Sequence, residues 1–245
     1  MQYIAILASR YHYGRFRGIY FDWTFLLLIA GAVICMIASA VMHSYTDKYS
    51  KIKASSGLTG AQAAQVILQR AGVSGVSVHP ISGNLTDHYD PRTKVVNLGE
   101  ESFNSTSLTG IGVAAHECGH AIQDAEGFAL LRIRTSIVPV VNIGSCLALP
   151  VSICGLIFSI QPLLTVGIVL FSLAVLFQLV TLPVEIDASR RALKLLESTG
   201  LLREEETSGA KKVLTAAAMT YVAALLSSIL QLLRLVILSR GNRRS

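Results

Sequence analysis

Residues 111–127 read IGVAAHECGHAIQDAEG. An apolar, alanine-rich run carries two histidines and a glutamate within a turn and a half, on a helix that otherwise reads as core. On an α-helix, positions i and i+4 project from one face about 6 Å apart, so His116 and His120 can present two imidazoles to one point. The pattern His116-Glu117-Cys118-Gly119-His120 is HExxH, in which the histidines hold zinc and the intervening glutamate can take a proton from zinc-bound water. Scattering six histidines and nine glutamates over 245 positions gives roughly 0.005 chance matches, so coincidence is a poor account. Two buried imidazoles without a metal would also need other partners. Cys118 points away from the histidines and reads as a small packing residue. Gly119 costs about 1 kcal/mol in a helix interior, which implies close approach of another backbone or a substrate.

Working outward, Ser105, Thr106 or Ser107 can cap this helix, which should run to about Glu126 and end at Gly127. Upstream, Thr59 can cap a helix running through Ala71 to Gly72, with Ala63, Val66, Ile67 and Ala71 at helical spacing. Val76 to Pro80 is β-like. The stretch GNLTDHYDPRTKVVNLGEE holds extended residues on either side of Asp90-Pro91-Arg92-Thr93, a turn with proline pre-set for its second position, so a small β-hairpin is expected.

These polar segments sit among apolar ones. The chain is 52% hydrophobic and 15% charged, with a mean hydropathy of +0.55, which is too apolar for an ordinary soluble domain. Trp23 to Met42, Ile137 to Ile160, Leu163 to Leu182 and Ala216 to Leu238 are each long enough to cross about 30 Å of hydrocarbon. The first resembles a signal peptide in its preceding Arg10, Arg15 and Arg17 and its Ala38-Ser39-Ala40, but its apolar run exceeds that of a leader and reads as a retained anchor. Tyr20 and Trp23 suit a membrane interface. Pro139, Asn142 and Pro150 predict a kinked second helix packed inside protein, and Ser159 to Pro162 make a tight turn into the third.

The expected organisation is therefore an N-terminal tail and transmembrane helix over 1–43, a catalytic segment over 44–135 and a transmembrane hairpin over 136–183. A second catalytic segment follows over 184–215, read as two short helices broken at Thr199-Gly200. A transmembrane or packed helix with a basic tail completes the chain over 216–245. Cys35, Cys146 and Cys154 lie within apolar stretches, so disulfides are not expected. The net charge of +6 comes from dispersed Lys and Arg without aromatic interleaving, which suits anionic lipid and argues against nucleic acid. Arg10, Arg15, Arg17, Arg240, Arg243 and Arg244 fall on one side of the membrane. Lys48, Lys51, Lys53, Arg132, Arg134, Arg190, Arg191, Lys194, Lys211 and Lys212 fall on the other. The positive-inside rule thus favours a cytoplasmic catalytic face in a multi-pass protein of the cell membrane.

A catalytic zinc usually has three protein ligands, so a third must be found. Asp124, four residues after His120, is placed to accept the N–H of the second ring nitrogen of His120, an outer role, or to be a solvated helix acid. Glu185 is the more attractive ligand, because it opens the second polar segment on the HExxH side. His12, His43 and His79 lie outside any ligand spacing, and Arg190 and Arg191 are expected to face headgroups or solvent.

The combination of TDHYDP (86–91), HECGHAIQDAEG (116–127) and FQLVTLPVEIDASRRAL (177–193) resembles the YugP-like neutral zinc metallopeptidases, a family of multi-pass membrane proteins. The layout is also similar to the HtpX-type membrane gluzincins. These resemblances imply a mostly α membrane protein with a gluzincin-like zinc peptidase unit and about four transmembrane helices. They imply one zinc ion per chain bound by His116, His120 and Glu185, with Glu117 as general base. The HtpX-type helix has an aspartate four residues after its glutamate, where this chain has Ser189. Asp187 is then expected to be an outer-shell acceptor or a solvated acid. In related metallopeptidases a strand beside the HExxH helix pairs with the substrate backbone; Gly83 to Tyr89 is the corresponding stretch, with His88 or Tyr89 as oxyanion stabiliser. The implied substrate is a protein or peptide associated with the lipid bilayer. Competing readings are a metal-dependent hydrolase of a non-peptide amide or ester, and a zinc-binding membrane scaffold without turnover. The intact Glu117 speaks against the scaffold.

Overall fold

The structure, a computed structural model, describes residues 22–83 and 86–242. The sequence readings on Arg10, His12, Arg15, Arg17, Tyr20, Arg243 and Arg244, and on Asn84 and Leu85 within the expected strand, lie outside the described residues.

Among the described residues, four long helices form the frame: α1 (Phe25–Ser50), α5 (Ala129–Ile157), α6 (Gln161–Ser198) and α7 (Glu204–Asn242). All four are long and apolar enough to cross a membrane. They pack in the order α1, α7, α6, α5. Large apolar side chains such as Leu26, Met36, Val140, Ile143, Val169, Leu176 and Leu233 remain exposed on them, as lipid-facing surfaces do in a bundle stripped of its bilayer. At the α5–α6 turn, Phe158 to Ile160 reverse the chain, with Ser159 in the left-handed region at φ 56°. Beside it the helices close on small residues: a Cβ on Gly155 would lie 2.6 Å from the backbone nitrogen of Leu164. Small residues at such contacts let helices without a hydrophobic driving force between them gain van der Waals packing. Pro139 and Pro150 both lie inside α5, which continues through them.

The helices outrun the apolar stretches. The second polar segment is not two separate short helices: α6 runs unbroken through Pro183 to Ser198, and α7 begins at Glu204 and continues to Asn242. The break does fall at Thr199-Gly200, with Gly200 at φ 67°. Hydropathy marks where lipid ends, whereas helix ends follow capping, and no left-handed glycine interrupts α6 before Gly200. Likewise α1 passes through Ala38-Ser39-Ala40 without interruption and buries Tyr49 in the extramembrane core.

Against the extramembrane ends of α6 and α7 sit the remaining elements. They are α2 (Gly60–Arg70), the strands β1 (Ser77–Ile81), β2 (His88–Asp90) and β3 (Val95–Gly99), the short α3 (Glu100–Phe103) and α4 (Leu108–Ala125). Thr59 and Gln62 form a reciprocal capping box at the start of α2, which satisfies two otherwise orphaned N–H groups. The sheet order is β1-β3-β2. The expected hairpin is β2–β3, antiparallel with Tyr89 opposite Val96, and β1 adds a parallel third strand to β3. β2 is therefore an edge strand. Ile67, Val96, Leu98, Ile111 and Leu196 are fully buried where α2, the sheet, α4 and α6 meet; burying each contributes about 1.5–3 kcal/mol. The chain leaving α1 is tied to the start of α4 by Ala54 N–H to Thr106 O at 2.8 Å and Leu108 N–H to Ile52 O at 2.9 Å.

Candidate metal centre

Helix α4 starts where its sequence says it should: the Ser107 hydroxyl accepts from Gly110 N–H at 3.1 Å. Gly127 follows its end in the left-handed region at φ 71°. From residue 114 to 123 almost every position is buried, so His120 and Glu117 are taken out of water with α4. Gly119 allows this. A Cβ there would lie 2.5 Å from the carbonyl oxygen of Ala188, so the close approach implied by the sequence is to the backbone of α6. Cys118 packs with no exposure against α2, its sulfur 3.6 Å from Ala64 O.

That crossing brings Glu185 to the histidines. Glu185 Oε2 is 3.2 Å from His116 Nε2, and Glu185 Oε1 is 3.7 Å from His120 Nε2. One ligand atom from each of the three lies within 4.8 Å of the others. Donors bound tetrahedrally at about 2.0–2.1 Å stand roughly 3.3–3.4 Å apart; the two Glu185 contacts are near that spacing, and the widest pair, up to 4.8 Å, must draw in to receive a zinc ion. Two imidazole nitrogens and a carboxylate with room for a fourth ligand is the donor chemistry of a catalytic zinc site.

The imidazoles are aimed by their other nitrogens. Gln123 Nε2 donates to Val184 O at 2.9 Å and to Asp187 Oδ2 at 2.8 Å. The amide oxygen is thereby turned to His120 Nδ1, 3.0 Å away, which assigns the proton to Nδ1 and leaves Nε2 as the ligand atom. His116 Nδ1 is held at 3.1 Å by Ser189 Oγ. Burial opposes charge on His120, but the hydrogen bond to Glu185 and the field of Glu117 raise its pKa. Burial likewise pushes the Glu185 carboxyl up, while hydrogen bonds from His116 and His120 hold it well below the usual carboxylate range. Arg134 Nη1 meets Glu185 Oε1 at 2.7 Å.

The other expected residues are distributed as follows. Glu117, 7% exposed, accepts Tyr89 N–H on Oε2 at 2.9 Å. Asp124 does not reach His120. It accepts the Tyr89 hydroxyl at 2.6 Å and pairs with Lys94, because the i+3 side chain of Gln123 occupies the position next to the ring. Asp187 holds Gln123 and, at 2.6 Å, Arg191 Nε, so it supports His120 through the amide. Burial raises the Asp187 pKa and bonds from Gln123 and Arg191 lower it, with a net lowering. Arg191 does not simply face solvent, since it also bridges to Glu126 at 2.6 Å. Both expected oxyanion stabilisers have partners in this structure. The Tyr89 hydroxyl is engaged by Asp124, and both His88 nitrogens are occupied, Nδ1 by Thr86 O at 2.7 Å and Nε2 by Asn97 Nδ2 at 3.2 Å. Of the expected substrate strand, only His88 and Tyr89 are in β2.

Four participants were not expected. Gln123 has a signal, being three residues past His120 and on its face. Ser189 has one too, four residues past Glu185. Arg134 and Tyr221 come from other helices and have none. Two cavities, of about 770 and 580 Å³, flank the centre, and Asp87, His116, Glu117, Glu185 and Tyr221 line both.

The chain matches the family described as "Putative neutral zinc metallopeptidase" over residues 24–240. It is similar to the "Putative membrane protease YugP" of Bacillus subtilis (strain 168), 46% identical over 217 residues that cover 89% of this chain and 96% of that protein. No solved structure matches it. With the match extending from the first residues of α1 almost to the end of α7, and so over every residue that converges on the centre, the chain belongs to the neutral zinc metallopeptidase family.

Proposed function

We propose that the chain is a multi-pass membrane zinc endopeptidase that holds one zinc through His116, His120 and Glu185 and uses Glu117 as general base. The observation that carries this reading is the convergence of the three ligand atoms beside a buried glutamate held by an edge strand. Zinc in this position would supply Lewis acidity, lowering the pKa of water and polarising a carbonyl. Tyr89 N–H engages one carboxylate oxygen of Glu117 and leaves the other to take the proton of the attacking water and return it to the departing amine. Gln123 and Ser189 keep both imidazoles turned inward.

β2 is an edge strand beside Glu117; its Tyr89 N–H is taken by that carboxylate, and an extended peptide pairing along the rest of the edge would be held through its main chain. Cavities on both sides of Glu117 leave room for residues on both sides of the scissile bond, in keeping with an endopeptidase. The larger is walled partly by Met42, Ala217 and Ala218 of α1 and α7, which suits a protein substrate associated with the bilayer. Distribution of Lys and Arg favours a cytoplasmic catalytic face. The test is metal analysis of the purified protein together with a cleavage assay on unfolded protein, peptides and simple esters, with and without chelator. One zinc per chain and chelator-sensitive peptide cleavage are expected. Zinc without turnover would support a scaffold, and ester turnover alone would support a different hydrolase.

A further inference from the structure

The carbonyl oxygen of a peptide gains negative charge when water adds to its carbon, and a donor aimed at that oxygen accelerates the step. Any such group must stand where the two cavities meet at Glu117. Among the described residues, five line both cavities. His116 and Glu185 are metal donors, Glu117 is the base, and Asp87 is an acid that accepts Gly99 N–H at 2.9 Å and would repel an oxyanion. Tyr221 is the remaining one. It carries an O–H donor, comes from α7, and is hydrogen-bonded to Glu185 and in the fields of Glu185, Arg134 and Glu117, so its hydroxyl already stands at the centre. The other donors near the centre line only the smaller cavity, and each has a partner: the Tyr89 hydroxyl on Asp124, the His88 ring between Thr86 and Asn97, and Arg134 on Glu185.

We infer that Tyr221 is a catalytic residue that donates its O–H to the carbonyl oxygen of the scissile bond as that oxygen becomes an anion. This rests on the peptidase reading. In the step, the water oxygen adds to the carbonyl carbon, the carbonyl π pair moves onto oxygen, and Glu117 takes the proton lost by the water. Tyr221 keeps its own proton throughout and only hydrogen-bonds the new charge. Collapse restores the carbonyl as the C–N bond breaks, and the Glu117 proton passes to the leaving nitrogen, giving a carboxylic acid and an amine. A donor on α7 also ties catalysis to a membrane helix outside the HExxH unit, so seating of α7 against α4 and α6 becomes a condition for turnover.

The competing role for Tyr221 is structural, holding Glu185 in place for the metal. Full-length Tyr221→Phe separates the two. It should keep stoichiometric zinc, the wild-type zinc affinity and the wild-type melting temperature. Its KM should stay within about twofold, while kcat falls about 10²–10³-fold, the range for loss of one oxyanion donor. A phosphinic peptide, whose tetrahedral oxygens mimic the oxyanion, should lose affinity by a similar factor, and a cleavage-product peptide should bind unchanged. A kcat within threefold of wild type, or a loss that tracks zinc release, would overturn the assignment to Tyr221 and leave the peptidase reading standing. Absence of any chelator-sensitive cleavage by the wild type would instead take down the peptidase reading, and this inference with it.

Discussion

Gly119→Ala sets two effects of opposite sign against each other. Helix propensity alone stabilises the substitution by about 1 kcal/mol in a helix interior. The structure sets a steric cost against this, because the added Cβ would lie 2.5 Å from Ala188 O, 3.0 Å from Ala188 C and 3.1 Å from Ala188 Cα, where ordinary contact begins at 3.4 Å. The obstacle is backbone, so no side-chain rotation relieves it, and α4 and α6 must part by about 0.9 Å. Overpacking of this kind costs about 1–3 kcal/mol. The displacement falls between His120, next to Gly119, and Glu185, one helical turn before Ala188, in a centre that tolerates about 0.2 Å in ligand distances. Gly119→Ala should therefore melt a few degrees lower in detergent, since about 1 kcal/mol moves the midpoint by about 2–4 °C in a chain of this size. Its zinc affinity should fall at least 10 to 100-fold in a chelator competition, the loss typical of merely disturbing an outer-shell partner. Gly112→Ala is the internal control. On the same helix, its Cβ would meet Ala210 Cβ at 3.6 Å, an ordinary contact, so it should be neutral or stabilising with zinc affinity unchanged. The reasoning is refuted if Gly119→Ala behaves like Gly112→Ala, melting higher and binding zinc normally.

Glu185→Ala should lose both zinc and activity, whereas Asp187→Asn, which touches the site only through Gln123, should retain stoichiometric zinc at saturating metal; the reverse pattern in metal analysis would show that the ligand had been misassigned. Glu206 accepts Ser55 N–H at 2.8 Å, Ser55 Oγ–H at 2.9 Å and Arg203 N–H at 2.9 Å. Burial raises its carboxyl pKa, but these bonds outweigh that effect and lower it. Its stabilisation is therefore present above the free-chain value of about 4.3 and lost as pH falls through the lower folded value. Melting curves should place Glu206→Gln about 1 kcal/mol below wild type at neutral pH, with the gap closing only below about pH 4.3; a gap independent of pH would exclude the carboxylate as its source. Reporter fusions after Met42 and after Arg240 should place the first in the cytoplasm and the second across the membrane, and an exported Met42 fusion would reverse the topology.

Local chemistry made part of this molecule legible in its sequence. Ser107, Gly127, Thr59 and Gly72 mark helix ends through capping and left-handed backbone, and each acts within a few residues of its own position. The spacing of His116 and His120 is a property of one helix and needs no tertiary information. The parallel strand β1 was not legible, because Val76 to Pro80 carries no signal of its partner. The length of α6 was missed because the change from apolar to polar at Pro183 marks a lipid boundary and not a helix end. Asp124 and Gln123 are adjacent on α4, and only the crossing with α6 decides which serves His120: Gln123 reaches Val184 O and Asp187, and Asp124 turns instead to β2 and Lys94. Tyr221 lies 104 residues after Glu117 in sequence, and nothing in its own stretch distinguishes it from a lipid-facing aromatic.

The central claim is that Glu117 moves protons for a metal it does not bind. Zinc analysis and peptide cleavage on purified Glu117→Gln, measured beside wild type, test it most directly. The side chain keeps its shape and can still accept Tyr89 N–H, so zinc should remain at one per chain and the melting temperature should hold, while cleavage of any wild-type substrate falls to near background. Turnover comparable to wild type in the zinc-loaded variant would contradict the account, and loss of zinc from it would make Glu117 a ligand instead of a base.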